Sequence, residues 1–127
     1  MLRCYSITSI VLASVTSISS YAFAYCYSLK SIVLPKVRSV SNYGFLSCLA
    51  IKRVALQDAT LYAYSFSNCQ TIMIYDFSAC TRVPSLYNKN AFNNINSICK
   101  MLIPSALYDV WKTATNWSNY IDYMVPV

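Results

Sequence analysis

The sequence contains no histidine, a single glycine, four prolines and only four acidic residues. Each scarcity excludes something. Without histidine there is no imidazole for acid–base work, no Ser-His-Asp triad and no His-ligated zinc. The lone Gly44 cannot build a glycine-rich phosphate loop. The acids, Asp58, Asp76, Asp109 and Asp122, are far apart in sequence and form no carboxylate pair at short helical spacing. A serine or cysteine nucleophile would have no evident base beside it. No apolar run reaches the roughly 18 residues that a membrane span needs, although 57% of the chain is hydrophobic and 11% charged. The inventory predicts a chain that is not an enzyme, with no cofactor, no metal and no membrane span.

Ten basic residues against four acids leave a net charge of +6. They are spread along the chain as Arg3, Lys30, Lys36, Arg38, Lys52, Arg53, Arg82, Lys89, Lys100 and Lys112. A nucleic-acid surface gathers such residues on one face. With no run of them, a solvated and mildly basic surface is expected and a nucleic-acid partner is disfavoured.

What is present is a repeat. Residues 21–40 carry apolar landmarks at Phe23, Cys26, Leu29, Ile32, Leu34, Val37 and Val40. A step of 22 gives Phe45, Cys48, Ile51, Val54, Leu56 and Ala59. A step of 21 then gives Phe66, Cys69, Ile72, Tyr75, Phe77, Cys80 and Val83, and a step of 26 gives Phe92, Ile95, Ile98, Met101 and Ile103. Stepping back 22 gives Met1, Cys4, Ile7, Ile10, Leu12, Val15 and Ile18. A period of 20 to 30 residues means a solenoid whose coils bury a core only by stacking. Within L-x-x-I-x-L, the last two apolar positions share one face of a strand. The pairs Ile10/Leu12, Ile32/Leu34, Val54/Leu56, Tyr75/Phe77 and Met101/Ile103 are therefore expected to form one parallel ladder. The V-x-x-V pieces, such as Val37/Val40, are expected to add a second, shorter one. The Y-A-F-x-x-C side is a turn, a short helical turn or a second strand; the sequence leaves that open.

The unit Y-A-F-x-x-C-x-x-L-x-x-I-x-L-P resembles the BspA-like leucine-rich repeats of bacterial, protist and phage-associated surface proteins. Residues 20–40 match best, and the resemblance covers essentially the whole chain. It implies a mainly β solenoid of the leucine-rich-repeat kind (α/β-type), a right-handed coil with a parallel strand ladder. About four to five coils would fill residues 1–104, the first incomplete, with a helix-containing C-terminal cap over 105–127. It further implies an extracellular or cell-surface location and non-catalytic adhesion to a protein or glycan ligand on a host or cell surface. Two alternatives stand beside this. The chain would be the structural capping end of a longer array, or a small secreted phage or parasite effector.

Cys4, Cys26, Cys48 and Cys69 share one repeat position, and Cys80 and Cys99 complete the six. That position belongs to the core, where packed thiols are common. No C-x-x-C occurs.

At the start, Arg3, the apolar Ile10-Val11-Leu12 and Ala22-Phe23-Ala24 imitate a secretory signal. Serines and a threonine interrupt that core, and Ile7, Ile10, Leu12, Val15 and Ile18 keep the repeat register, so a first coil is expected. It shows no cap, which leaves end-to-end stacking with a partner or an upstream array as expectations. Residues 84–91 lengthen the fourth step and are expected to bulge as a slack loop. From Ser105 the register stops. Helical spacing follows at Ala106, Leu107, Val110, Trp111 and Ala114, with Ser105 as its cap. Trp117, Tyr120, Ile121 and Tyr123 to Val125 are expected to return as an extended piece, with Trp111 and Trp117 as a lid. Asn116-Trp117-Ser118 matches a glycosylation sequon, which a buried tryptophan would make a coincidence.

Strand residues between the inward pairs point outward. One such column reads Val11, Val33, Ala55, Asp76 and Leu102; the column before it reads Ser9, Ser31, Arg53, Ile74 and Lys100. A stripe of exposed apolar residues marks a contact surface. The candidate binding face is therefore Val33, Arg53, Ala55, Ile74, Asp76, Lys100 and Leu102.

Overall fold

A computed structural model describes residues 5–127. Met1, Arg3 and Cys4 lie outside the described residues. The chain winds as stacked coils, each crossing a front ladder, a back ladder and a turn side. The front strands are β1 (Ser9–Val11), β3 (Ser31–Val33), β5 (Arg53–Ala55), β7 (Ile74–Asp76), β8 (Lys100–Ile103) and β9 (Met124–Pro126). The back strands are β2 (Ser17–Ile18), β4 (Ser39–Val40) and β6 (Thr60–Leu61). All pairings are parallel, as one-way winding of successive coils requires.

Alternation along each front strand sorts its residues. Val54, Tyr75, Met101 and Ile103 are buried, as are Leu34, Leu56 and Phe77 beyond the strand ends. Ser31, Val33, Arg53 and Ala55 face solvent. The register follows the repeat: Ser9 pairs with Ser31, Arg53 with Ile74, and Ile74 with Lys100. The front ladder is not continuous, however. β1 pairs with β3 and β5 begins a four-stranded sheet with β7, β8 and β9, but β3 and β5 do not pair. The back ladder β2–β4–β6 runs unbroken past the same coils.

The turn side consists of hydrogen-bonded turns, neither helix nor strand. Alternate amides reach the next coil: the Phe23 N–H donates to the Gly44 carbonyl (2.8 Å), Phe45 to Ser65 (2.8 Å) and Phe66 to Ala91 (2.8 Å). Each of the first three turns needs two left-handed residues four apart, which are Tyr21 and Tyr25, Tyr43 and Ser47, and Tyr64 and Asn68. Such φ values are costly outside glycine and asparagine. The tyrosines recover part of the cost by stacking, with Tyr21–Tyr43 centroids 4.8 Å apart and Tyr43–Tyr64 5.0 Å apart. Inside them Phe23, Phe45, Phe66 and Phe92 form a second column at 5.3, 5.2 and 6.0 Å.

Cys26, Cys48 and Cys69 sit in the core beside that column. The Cys48 thiol donates to the Phe23 carbonyl (3.1 Å) and the Cys69 thiol to the Phe45 carbonyl (2.9 Å). Cys48, Cys69, Cys80 and Cys99 are unbridged.

Several landmarks shift. Ile98, expected inside, is 65% exposed, and Cys99 is buried in its stead. The Cys99 N–H bonds the Asn96 carbonyl as the Ile72 N–H bonds that of Cys69, so the lengthened coil takes up one further residue before this point. Val83 is half-buried, while Leu86 is buried and bridges Leu61 in the back ladder. Ile7 is exposed rather than internal. Residues 9–18 do stand in both ladders, as the repeat register requires.

Beyond Ile103 the chain makes a 3-10 turn (Ser105–Leu107), the one-turn helix α1 (Tyr108–Trp111) and a 3-10 segment (Trp117–Tyr123) before β9. Ser105 does not cap a helix; its hydroxyl donates to the Val127 carbonyl (2.8 Å). The extended piece is confined to β9, which restores the register with Met101 opposite Met124. Trp111 and Trp117 are buried with ring centroids 5.5 and 5.4 Å from Phe77. Ring packing, not helical periodicity, shapes this segment. It also straps the inserted loop. The Trp117 indole N–H donates to the Pro84 carbonyl (2.7 Å), the Asn116 amide to Leu86 (2.7 Å), and the Tyr120 hydroxyl to Lys89. The loop is thus anchored rather than slack, and the Asn116 side chain is committed to it.

Candidate functional site

Part of the outward columns lines one groove. Where β3 and β5 fail to pair, a cleft of about 410 Å³ opens on the front face. Its apolar walls are Val33, Pro35, Ala55 and Ala79; Arg53, Gln57, Asp76 and Ser78 supply the polar groups. Val33 stands there by strand alternation. Pro35 follows β3, where a missing amide donor is tolerated.

Four of the seven predicted residues, Val33, Arg53, Ala55 and Asp76, line this groove. Ile74, Lys100 and Leu102 lie farther along the same face on β7 and β8, with Ile74 opposite Lys100 and Asp76 opposite Leu102. Pro35, Gln57, Ser78 and Ala79 were not singled out by the sequence. They follow their strands as corner residues, and no strand-face column contains them.

Arg53 and Asp76 form an ion pair across neighbouring strands, with the guanidinium half exposed and the carboxylate largely covered. Desolvation alone would raise the Asp76 carboxyl. The Ser78 hydrogen bonds, including its N–H at 2.9 Å, and the Arg53 charge outweigh it and hold the carboxyl below the ordinary aspartate range. Asp58, on the neighbouring corner, behaves alike. Desolvation opposes ionisation, but the Thr81 hydroxyl (2.7 Å), the Thr81 N–H (2.9 Å) and the Arg82 N–H keep it low. Both acids are thus fully employed inside the chain. Lys30, Lys36 and Lys52 are exposed beside the groove strands, and none is ion-paired among the described residues.

The groove offers shape, apolar contact and fixed charges. Ser78 is the one hydroxyl in its lining, with no histidine or lysine among the lining residues to activate it. Among the described residues no three His, Cys, Asp or Glu side chains converge as metal ligands. No helix among them is long and apolar enough to cross a membrane.

Residues 2–121 match the BspA type leucine-rich repeat region in six copies. The chain belongs to this family. No match to a curated protein accompanies it. Leucine-rich repeats serve in general as non-catalytic protein-interaction modules, those of the BspA type are often surface-associated, and no enzyme family is indicated.

Proposed function

We propose that the chain is a surface-associated recognition module that adheres to a protein ligand through the front face of its solenoid. The observation that carries this reading is the outward stripe of that face. Val11 is 64% exposed and Val33 45% exposed, with Ala55 exposed beside them at the mouth of the groove. Exposed apolar area of this kind, next to anchored charges, marks contact surfaces. A protein ligand is favoured over a glycan because the groove is lined by aliphatic residues and an ion pair, with no aromatic ring. The tyrosines of the turn side spend their faces on one another. Residues 105–127 serve in this reading as the closing segment of the array.

The test is binding of the labelled chain to cell surfaces, compared between wild type and Val33→Glu. Saturable binding that protease treatment of the cells abolishes, and that Val33→Glu weakens at least tenfold, is expected. Binding that survives protease but not glycosidase, or that Val33→Glu leaves untouched in a folded protein, contradicts the reading.

A further inference from the structure

The groove has a feature that the rest of the front face lacks. Every other pair of neighbouring front strands is joined in register, but the facing edges of β3 and β5 keep their main-chain groups out of the ladder. The spacing of 22 residues from Ser31 to Arg53 would allow Ser31 to face Arg53, yet the ladder is open there while the back ladder stays closed. β3 and β5 nonetheless stay neighbours, closer than two strands with a third between them, so an occupant lies over the face of the gap and not within it.

Charge narrows the occupant. Lys30 precedes β3, Lys36 follows Pro35, and Lys52 precedes β5; all three are exposed and without an ion pair among the described residues. The acids in and beside the groove are consumed internally, Asp76 by Arg53 and Ser78 and Asp58 by Thr81 and Arg82. Arg53 gives one nitrogen to Asp76 and retains further donors. Between these cations the walls are aliphatic: Val33, Pro35, Ala55 and Ala79. A polyanion would want a continuous basic track; an apolar floor ringed by single cations wants alternating side chains.

We propose that the groove between β3 and β5 binds an extended peptide segment of a partner protein in which acidic and apolar residues alternate. This rests on the recognition reading above. The peptide's apolar side chains lie on Val33, Pro35 and Ala55, its carboxylates meet Lys30, Lys52 and the free donors of Arg53, and its main chain crosses the face of the groove.

The experiment is selection of a displayed random heptapeptide library on the full chain, followed by fluorescence-anisotropy titration of the winning synthetic peptides. Expected winners alternate Asp or Glu with aliphatic residues. Ala55→Glu and Lys52→Glu each weaken them at least tenfold, and Val110→Glu, on the remote closing segment, does not. Thermal melts confirm folding. If Ala55→Glu fails to fold, Lys52→Glu decides, since that side chain is exposed and unpaired. Basic or neutral winners, or no winners, overturn the proposal. So does a heparin oligosaccharide that displaces the winners with equal affinity. Acidic winners indifferent to both substitutions also overturn it, but leave recognition standing at another part of the surface; loss of cell binding in the Val33→Glu comparison is read separately.

Discussion

Ala22, Gly44, Ser65 and Ala91 occupy the same place in successive turns, each just before a core phenylalanine. The place has room for little. A Cβ on Gly44 would stand 2.8 Å from Val40 Cγ1 and 3.3 Å from Ile18 Cγ2, so glycine is needed for space and not for its φ. Gly44→Ala is expected to cost about 1–3 kcal/mol through overpacking, measured by denaturant unfolding. Ser65 errs the other way. Its hydroxyl is fully buried and has no hydrogen-bond partner. Ser65→Ala should therefore raise stability, by on the order of 1 kcal/mol in the same assay. The two carboxyls of the front corner make stability depend on pH. Both Asp58 and Asp76 are held low in the fold, so their contribution is present above the ordinary aspartate value and is lost as pH falls through the folded one. Melting temperature should decline below about pH 4, and Asp58→Asn with Asp76→Asn should flatten that decline. Three thiols, those of Cys48, Cys80 and Cys99, titrate late. Burial pushes Cys99 up to about 11 and raises Cys80; a side-chain hydrogen bond with Cys69, together with burial, raises Cys48 further. A thiol reagent at pH 8 is expected to leave Cys48, Cys69, Cys80 and Cys99 unlabelled in the folded protein and to label them in denaturant, as located by mass spectrometry.

At the scale of elements, the segment of residues 105–127 and the inserted loop form one unit. Three side chains of the segment bond three carbonyls of the loop, at Pro84, Leu86 and Lys89. Trp117→Phe keeps the ring on Phe77 but removes the donor to Pro84. It should cost about 1–2 kcal/mol and speed amide exchange in residues 84–91, with little change in β7. The strands themselves were readable in the sequence, because an inward pair two residues apart recurs at Ile32/Leu34, Val54/Leu56, Tyr75/Phe77 and Met101/Ile103. The registration between them was less so. Val40 pairs with Leu61, one residue short of the 22-residue step, Leu86 rather than Val83 continues that ladder, and Cys99 rather than Ile98 enters the core. In each case two nearby residues are apolar, and pattern alone cannot choose between them. In the tail, the spacing of Val110 and Trp111 reads as a helix, but the large rings dictate short 3-10 turns, and Val110 ends up exposed.

For the molecule as a whole, the outward columns named from alternation do share one face, and Val33, Arg53, Ala55 and Asp76 meet at its groove. The groove itself was not legible. It arises because β3 and β5 leave their ladder open, and the residues on either side, Ser31-Ile32-Val33 and Arg53-Val54-Ala55, read as any other pair of strands. That opening gives a repetitive sheet a distinct groove, on which the proposed recognition depends. Amide hydrogen exchange resolved to short peptides tests it most directly. Peptides covering residues 30–36 and 52–57 are expected to exchange markedly faster than those covering 73–78 and 100–103, while the back ladder at residues 39–40 and 60–61 stays protected. Uniform slow exchange along the whole front ladder would mean that β3 and β5 are joined, and would contradict the groove as the site of recognition.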